Sequence, residues 1–187
     1  QGVSSAASDV YKRQALGLFD DPYRGTDPVR EKAVVGSREH VELSREAGRK
    51  SVVLLKNDNG LLPLKKSQKI ALVGPFADDV DNVWGPWTIW GAPERRVSLE
   101  AGFRAAMSDP QNLTLARGSG VETPLDGGIE QAIAAARDAE VIVLAIGEAT
   151  NMSGEAQSRT EIVVPAPQVA LVLSLIHISE PTRLGMI

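Results

Sequence analysis

Three short apolar runs divide the second half of the chain, and segments with helical periodicity lie between them. The runs are Lys69–Gly74 (KIALVG), Leu113–Arg117 (LTLAR) and Glu140–Gly147 (EVIVLAIG). Their apolar residues are continuous rather than alternating, which is typical of strands covered on both faces of a parallel sheet. We therefore predict three buried parallel strands.

The segments between and after the runs predict helices. They are Leu99–Met107, Ile129–Ala139 and a helix that begins at Pro165. Strands that alternate with helices indicate an α/β fold, here a three-layer α/β/α, doubly wound (flavodoxin-like) domain with a mainly parallel sheet. Three strands are few for such a domain, so we expect the sheet to be truncated.

A polar segment with an apolar stripe precedes the first run. Residues 37–57 (SREHVELSREAGRKSVVLLKN) predict one long helix with Ser37 as its N-cap, and Asn57–Gly60 (NDNG) is expected to end it. The preceding stretch, Leu18–Pro28, is rich in turn-forming residues.

Both ends of the sequence read as translated sequencing-library adapters. SSAASDVYKRQ near the start and LSLIHISEPTR near the end are what two transposase-type adapters encode, and the codons for DVYKRQ are the reverse complement of those for LSLIHI. Tails of this kind are set aside in fold prediction. We therefore expect residues 1–14 and 173–187 to be adapter-derived and residues 15–172 to be a gene fragment, although LVLSLIHI alone would suit a short apolar helix or strand.

Composition removes several classes of function. The net charge is −4, which argues against nucleic acid as a partner, and no apolar run is long enough to predict a membrane span. Cysteine is absent, and His40 is the only histidine outside the adapter-like tails. We therefore expect no thiolate or histidine-rich metal site, no Ser-His-Asp triad and no cofactor, and no P-loop motif is present.

Ligands of open parallel sheets bind beyond the carboxyl ends of the strands. A loop leaves each predicted strand there: the first loop (residues 74–94), the second loop (118–128) and the third loop (147–165). The first and third are long, and long loops in compact domains are usually functional or disordered. Asp78, Asp79 and Asp81 in the first loop suggest calcium, but the glycine and closing glutamate of an EF-hand loop are missing, which favours capping and solvated roles.

The first loop holds all three tryptophans of the chain, Trp84, Trp87 and Trp90. Gly85, Pro86 and Gly91 argue against a helix there. An aromatic side chain in a wet groove is suited to stacking on a sugar ring, and Trp87 is the preferred candidate. A buried structural tryptophan is the alternative for each position.

The third loop begins GEATNMSGEAQSR and lifts Glu148 and Glu155 off the end of a buried strand. A carboxyl group whose pKa is raised by its surroundings serves as a general acid, and glycoside hydrolysis uses two carboxyl groups. The alternative is that both glutamates are solvated surface residues.

The order of these motifs resembles the C-terminal α/β domain of family 3 glycoside hydrolases. SREAGRKSVVLLKNDNGLLPLKKSQKIALVGPFAD resembles the start of that domain, and GLFDDPY resembles the linker from the family's N-terminal (β/α)₈ barrel. The third loop resembles the family's G-E…E-A-x-S-R-x-x-I-x-x-P segment. The resemblance covers residues 16–171 and implies a linker over 15–36 and a partial C-terminal domain over 37–172.

The resemblance implies one part of a retaining, exo-acting β-glucosidase of the periplasmic branch, located in the periplasm or outside the cell. The family's nucleophile is an aspartate on the missing barrel, so the chain alone should be inactive, and the substrate is a β-glucoside or oligosaccharide. Glu155 matches the general acid/base. Trp87 matches a tryptophan near the aglycone subsite. Glu148, Ser158 and Arg159 are substrate-binding candidates: Glu148 is also expected to shape the turn, and Arg159 to orient Glu155 or a sugar hydroxyl rather than form a surface ion pair.

One position departs from the family pattern. Many relatives carry E-x-E before the arginine, and the earlier acidic position is Ser153 here. If the family's acid is the earlier one, Glu155 is a substrate or supporting ligand instead. The alternative functions are a non-catalytic carbohydrate-binding domain and, last, a nucleotide or phosphoacceptor domain.

A sheet that lacks its later strands leaves an unpaired edge and an uncovered apolar face. We therefore expect the expressed chain to aggregate or to be partly molten. Size-exclusion chromatography and thermal unfolding test this expectation, and a monomeric elution profile with a cooperative, reversible transition would contradict it.

Overall fold

The structure is a computed structural model that describes residues 5–85, 87–88, 91, 94, 96–176 and 184–185. The chain divides into two compact units, Gln1–Val53 and Leu54–Ile187. Within the described residues, no helix is long and apolar enough to cross a lipid bilayer.

The first unit consists of three helices, α1 (Ser5–Ala15), α2 (Pro28–Val34) and α3 (Arg38–Ser51). Ser37 is the N-cap of α3 as predicted, and its hydroxyl accepts a hydrogen bond from the His40 backbone N–H at 3.4 Å. The helix ends at Ser51, so the prediction that it continues to Asn57 is wrong. The backbone is already extended at Val52, and two consecutive β-branched residues, Val52 and Val53, lower the helix propensity there.

The second unit is built on a parallel sheet, as predicted. Its strands are β1 (Ile70–Val73), β2 (Leu113–Ala116), β3 (Val141–Leu144) and the two-residue β4 (Leu184–Gly185), in the order β2-β1-β3-β4. All pairs are parallel. β4 lies within residues 173–187, the terminal segment expected to be adapter-derived.

Helices cover both faces of this sheet and make the predicted three layers. They are α4 (Leu99–Ala106), α5 (Gly128–Ala136) and α6 (Ala166–Ile176). Residues of α5 and α6 share one core cluster with alternate residues of the strands, whereas Phe103 of α4 packs on the opposite cluster. α6 continues past Val172, and its Leu171 and Leu175 are completely buried.

The backbone that follows β1 lies very close to the backbone that follows β3. β1 is in register with both neighbours, and Val73 aligns with Ala116 and with Leu144. The next residue, Gly74, has a φ of 130°, and a Cβ atom there would lie 2.2 Å from the carbonyl oxygen of Ala145. Only glycine fits this position, so the first and third loops leave the sheet side by side.

Gly74→Ala is expected to lower the free energy of unfolding by about 2 kcal/mol or more, because the methyl group overpacks against backbone and φ is positive. Gly102→Ala in α4 is the control: its Cβ would meet no atom within 4 Å, and we expect a gain of roughly 0.5–1 kcal/mol. Urea denaturation measures both. Equal effects at the two positions would contradict the close approach.

Candidate functional site

The first and third loops are joined by one asparagine. The Asn82 side-chain oxygen accepts hydrogen bonds from the Thr150 backbone N–H at 2.8 Å and from the Thr150 hydroxyl at 3.2 Å. Asn82 is itself held by Asp79, whose carboxylate accepts from its backbone N–H at 2.8 Å and from its side-chain amide at 2.9 Å. The short Asp79–Asn82 turn therefore anchors the middle of the third loop.

The three aspartates of the first loop have separate partners. Asp78 pairs with Arg117 at the end of β2 at 3.1 Å, and Asp81 pairs with Arg96 at 2.8 Å. Asp79 caps the turn at Asn82 rather than a helix, since residues 79–85 form no helix. In the part of the chain that the structure describes, no group of three or more acidic or histidine side chains is placed to hold a metal ion.

A cavity of about 500 Å³ lies between the first and third loops. The side chains at its wall include both principal candidates, Trp87 and Glu155, together with Ser153. Trp87 is 68% exposed, so one face of its ring is available to a ligand. The remaining lining residues are Gly85, Thr150, Asn151 and Gln157. The structure therefore brings an exposed aromatic ring and a carboxylate to one cavity.

Trp84 differs from Trp87. Trp84 is half-buried, and the guanidinium of Arg96 lies 4.4 Å from its ring centroid. The ring occupies the space that a side chain at Gly91 would fill. These contacts favour the structural alternative for Trp84. Trp90 lies outside the described residues.

Glu155 sits at the tip of a tight turn in the third loop. A bridge between Gly154 and Gln157 closes the turn, and Ala156 has a φ of 59°. Glu155 is exposed, and within the described residues its carboxylate forms no hydrogen bond or ion pair. The side chain is therefore free to meet a ligand in the cavity.

Arg159 does not contact Glu155. Its Nε lies 3.3 Å from the carboxylate of Glu148, so the ion pair joins the beginning and the end of the loop. This pair is the ion pair that the alternative interpretation of Arg159 describes, and no hydrogen bond or ion pair between Arg159 and Glu155 supports an orienting role. That Arg159 orients a sugar hydroxyl stays a prediction. The side chain of Arg159 is 24% exposed, and its Nη1 is shielded from solvent without a hydrogen-bond partner in the described residues.

Ser158 and Arg159 belong to a second cavity of about 410 Å³. It shares Asn151 and Gln157 with the first cavity, and its other lining residues are Glu122, Met152, Thr160 and Glu161. The predicted site is thus divided: Trp87 and Glu155 lie in one cavity, Ser158 and Arg159 in the adjoining one. Glu148 lines neither cavity.

Sequence reasoning missed Gln168, which is completely buried in α6. Its side-chain oxygen accepts from the Gly147 backbone N–H at 2.8 Å. Its amide nitrogen donates to the carbonyl oxygens of Val121 at 2.8 Å and Gly147 at 2.9 Å. A signal was present, because Gln168 occupies the same helical stripe as the buried Leu171 and Leu175, where an apolar residue is expected.

Comparison with known proteins identifies the family. Residues 52–185 match the Glycosyl hydrolase family 3 C-terminal domain. The chain belongs to glycosyl hydrolase family 3. It is 36% identical to the periplasmic β-glucosidase of Salmonella typhimurium over 193 aligned positions, covering 89% of this chain and 25% of that protein.

Two further proteins, both glycosidases by name, are similar to this chain. A β-xylosidase of Formosa agariphila is 29% identical, with 100% of this chain and 26% of that protein covered. The crystal structure of the Listeria innocua β-glucosidase in complex with isofagomine superposes with a TM-score of 0.81 at 31% identity, over 95% of this chain and 24% of that one. The chain thus spans about a quarter of the length of these family 3 relatives.

In this family 3 domain, Asn82→Ala should lower the free energy of unfolding by about 1–3 kcal/mol, because it removes the acceptor of both half-buried Thr150 groups and one of the two donors to Asp79. Asn151→Ala is the matched control, since Asn151 is exposed at the cavity wall, and we expect a change within roughly 0.5 kcal/mol. Denaturant unfolding compares them; if both variants unfold at the same midpoint, the Asn82 link does not hold the loops together.

Proposed function

We propose that this chain forms one wall of the active site of a retaining, exo-acting β-glucosidase that hydrolyses terminal β-D-glucosidic bonds. The observation that carries the proposal is the shared cavity of Trp87 and Glu155. The similarities support glucosides over xylosides as substrates, because the chain is 36% identical to a β-glucosidase and 29% identical to a β-xylosidase. The periplasmic relative supports a location in the periplasm or outside the cell.

Glu155 is the general acid/base in this proposal. In the first half of the reaction its carboxyl group gives a proton to the oxygen of the leaving alcohol, and in the second it takes a proton from the attacking water. Its position at the tip of a turn, with no competing partner within the described residues, suits a group that must reach into a bound substrate. Trp87 would stack on the sugar that leaves.

A retaining glycosidase needs a second carboxylate about 5–5.5 Å from the first. Of the described residues that line the cavity, Glu155 alone carries a carboxylate. We assign the nucleophile to the family's N-terminal (β/α)₈ barrel, which would be the structural partner of this domain. The isolated chain should therefore be inactive.

Ser158 and Arg159 would bind hydroxyl groups of any ligand that extends into the second cavity. Glu148 would act through Arg159, because the ion pair at 3.3 Å holds the two ends of the third loop together. Its role in substrate binding is then to fix the loop rather than to touch the sugar.

A non-catalytic carbohydrate-binding domain is the second candidate, and the exposed ring of Trp87 favours it. Titration of the isolated chain with cellobiose, followed by tryptophan fluorescence, separates the two functions. Tight binding by the chain alone supports the binding domain, whereas an open, one-sided active-site wall should bind only weakly.

The test of the enzyme uses a chimera in which residues 16–171 replace the aligned segment of the L. innocua β-glucosidase. Glu155→Gln should lower kcat/KM for an alkyl β-glucoside, a poor leaving group, by roughly 10²–10⁴-fold, because proton donation is lost. A dinitrophenyl β-glucoside, which leaves without protonation, should lose little in its first step.

Glu130→Gln is the control, since Glu130 is an exposed carboxylate of α5 that lines neither cavity. It should leave both substrates nearly unaffected. Equal turnover of the alkyl glucoside by the Glu155→Gln chimera and its parent would show that Glu155 is not the acid, and Ser153→Glu would then test the earlier position.

A further inference from the structure

We propose that Gln168 is a positioning residue that fixes the third loop and couples it to the second loop. It rests on the proposed function, in which the third loop carries Glu155. Gln168 is completely buried, yet it lines neither cavity. Burial of a polar side chain costs free energy unless it is hydrogen-bonded, and the rest of this helix face packs the apolar Leu171 and Leu175.

The side-chain amide of Gln168 pairs with the backbone N–H and C=O of one residue, as a neighbouring β-strand would. It accepts from the N–H of Gly147 and donates to the carbonyl oxygen of the same residue, at 2.8 and 2.9 Å. The remaining amide proton reaches the carbonyl oxygen of Val121 at 2.8 Å. Both amide protons of Gln168 are thus used, and this one side chain holds two separate backbone segments.

Only an amide satisfies this set of partners. One N–H and two carbonyl groups surround the side chain, so it must present one acceptor and two donors at the same time. A carboxylate offers no donor, and an aliphatic side chain offers neither. Each alternative leaves buried backbone groups unpaired, which is costly.

Each of the two backbone segments is connected to a residue that lines the second cavity. Gly147, with a φ of 151°, directly precedes Glu148, which pairs with Arg159 at the far end of the loop. Val121 directly precedes Glu122, which lines the same cavity as Arg159. Gln168 therefore sets the start of the third loop and one wall of the cavity together.

The turn that bears Glu155 depends on these attachments. The third loop is held at its start by Gln168, in its middle by Asn82 and across its base by the Glu148–Arg159 pair. Loss of Gln168 frees the start of the loop while the sheet core stays packed, so the direction of Glu155 changes although the fold persists. Misplacement of about 1 Å costs a reaction about 100-fold.

The first test uses the unchanged chain under conditions in which it elutes as a monomer and the β1 and β3 amides are protected. Amide exchange measured by NMR should show slow exchange for the Gly147 backbone N–H and for both side-chain amide protons of Gln168. Gln131 is the internal control, because it is an exposed glutamine on α5. If the Gln168 side-chain protons exchange as fast as those of Gln131, Gln168 does not hold the two backbone segments and the proposal fails.

The second test compares Gln168→Leu, Gln168→Glu and the control Gln131→Glu. Gln168→Leu should speed exchange of the Gly147 amide at least tenfold at every pH, with strand amides in β1 and β3 still protected. Gln168→Glu should also speed exchange of the Gly147 amide at neutral pH. Acidification should restore the protection of this amide, because the protonated carboxyl group recovers one donor. Unchanged Gly147 exchange in Gln168→Leu, or an absence of this pH-dependent recovery in Gln168→Glu, would overturn the assignment.

The third test places Gln168→Glu in the chimera. At neutral pH kcat should fall roughly 10–100-fold with KM nearly unchanged, because Trp87 stays in place while Glu155 moves. A proportional fall in folded protein, with the kcat of the folded fraction unchanged, would contradict a positioning role. If the unsubstituted chimera has no activity, the proposed enzyme function fails, and the exchange measurements still decide the role of Gln168.

Discussion

The parallel register of β1 with both of its neighbours is the constraint on which the site depends. Because Val73 aligns with Ala116 and with Leu144, the three strands end at one level and all three loops begin at one edge of the sheet. Gly74 then passes so close to Ala145 that no side chain fits between them. The short, fully buried strands therefore fix where the polar loops start, although the loops themselves contribute little to the core.

Polar links do the rest of the positioning. The third loop has few buried side chains, Met152 among them, so apolar packing cannot hold its shape. Asn82 and Gln168 instead bond its backbone from two sides, and the Glu148–Arg159 pair closes its base. A net hydrogen bond contributes only about 1 kcal/mol, but loss of one partner leaves a buried group unsatisfied at a larger cost. The arrangement favours one loop geometry over the alternatives.

The strands, the layers and the Ser37 cap could be predicted from sequence, because burial and capping depend on local pattern. The end of α3 at Ser51 could not, since the apolar stripe continues through Val52 while the backbone turns extended. The pairing of Arg159 with Glu148 depends on the path of the loop between them, which residue types do not reveal. Gln168 was missed because its partners are backbone groups more than twenty residues away, at Gly147 and Val121.

The central claim, that Glu155 is the acid/base of a retaining site, is tested most directly by chemical rescue. Glu155→Ala in the chimera, given a dinitrophenyl β-glucoside, should accumulate the glycosyl-enzyme intermediate, because water then lacks its general base. Azide needs no base, so it should accelerate turnover and yield the β-glucosyl azide with retained configuration. A rate that does not respond to azide, or an azide product of inverted configuration, would contradict the account.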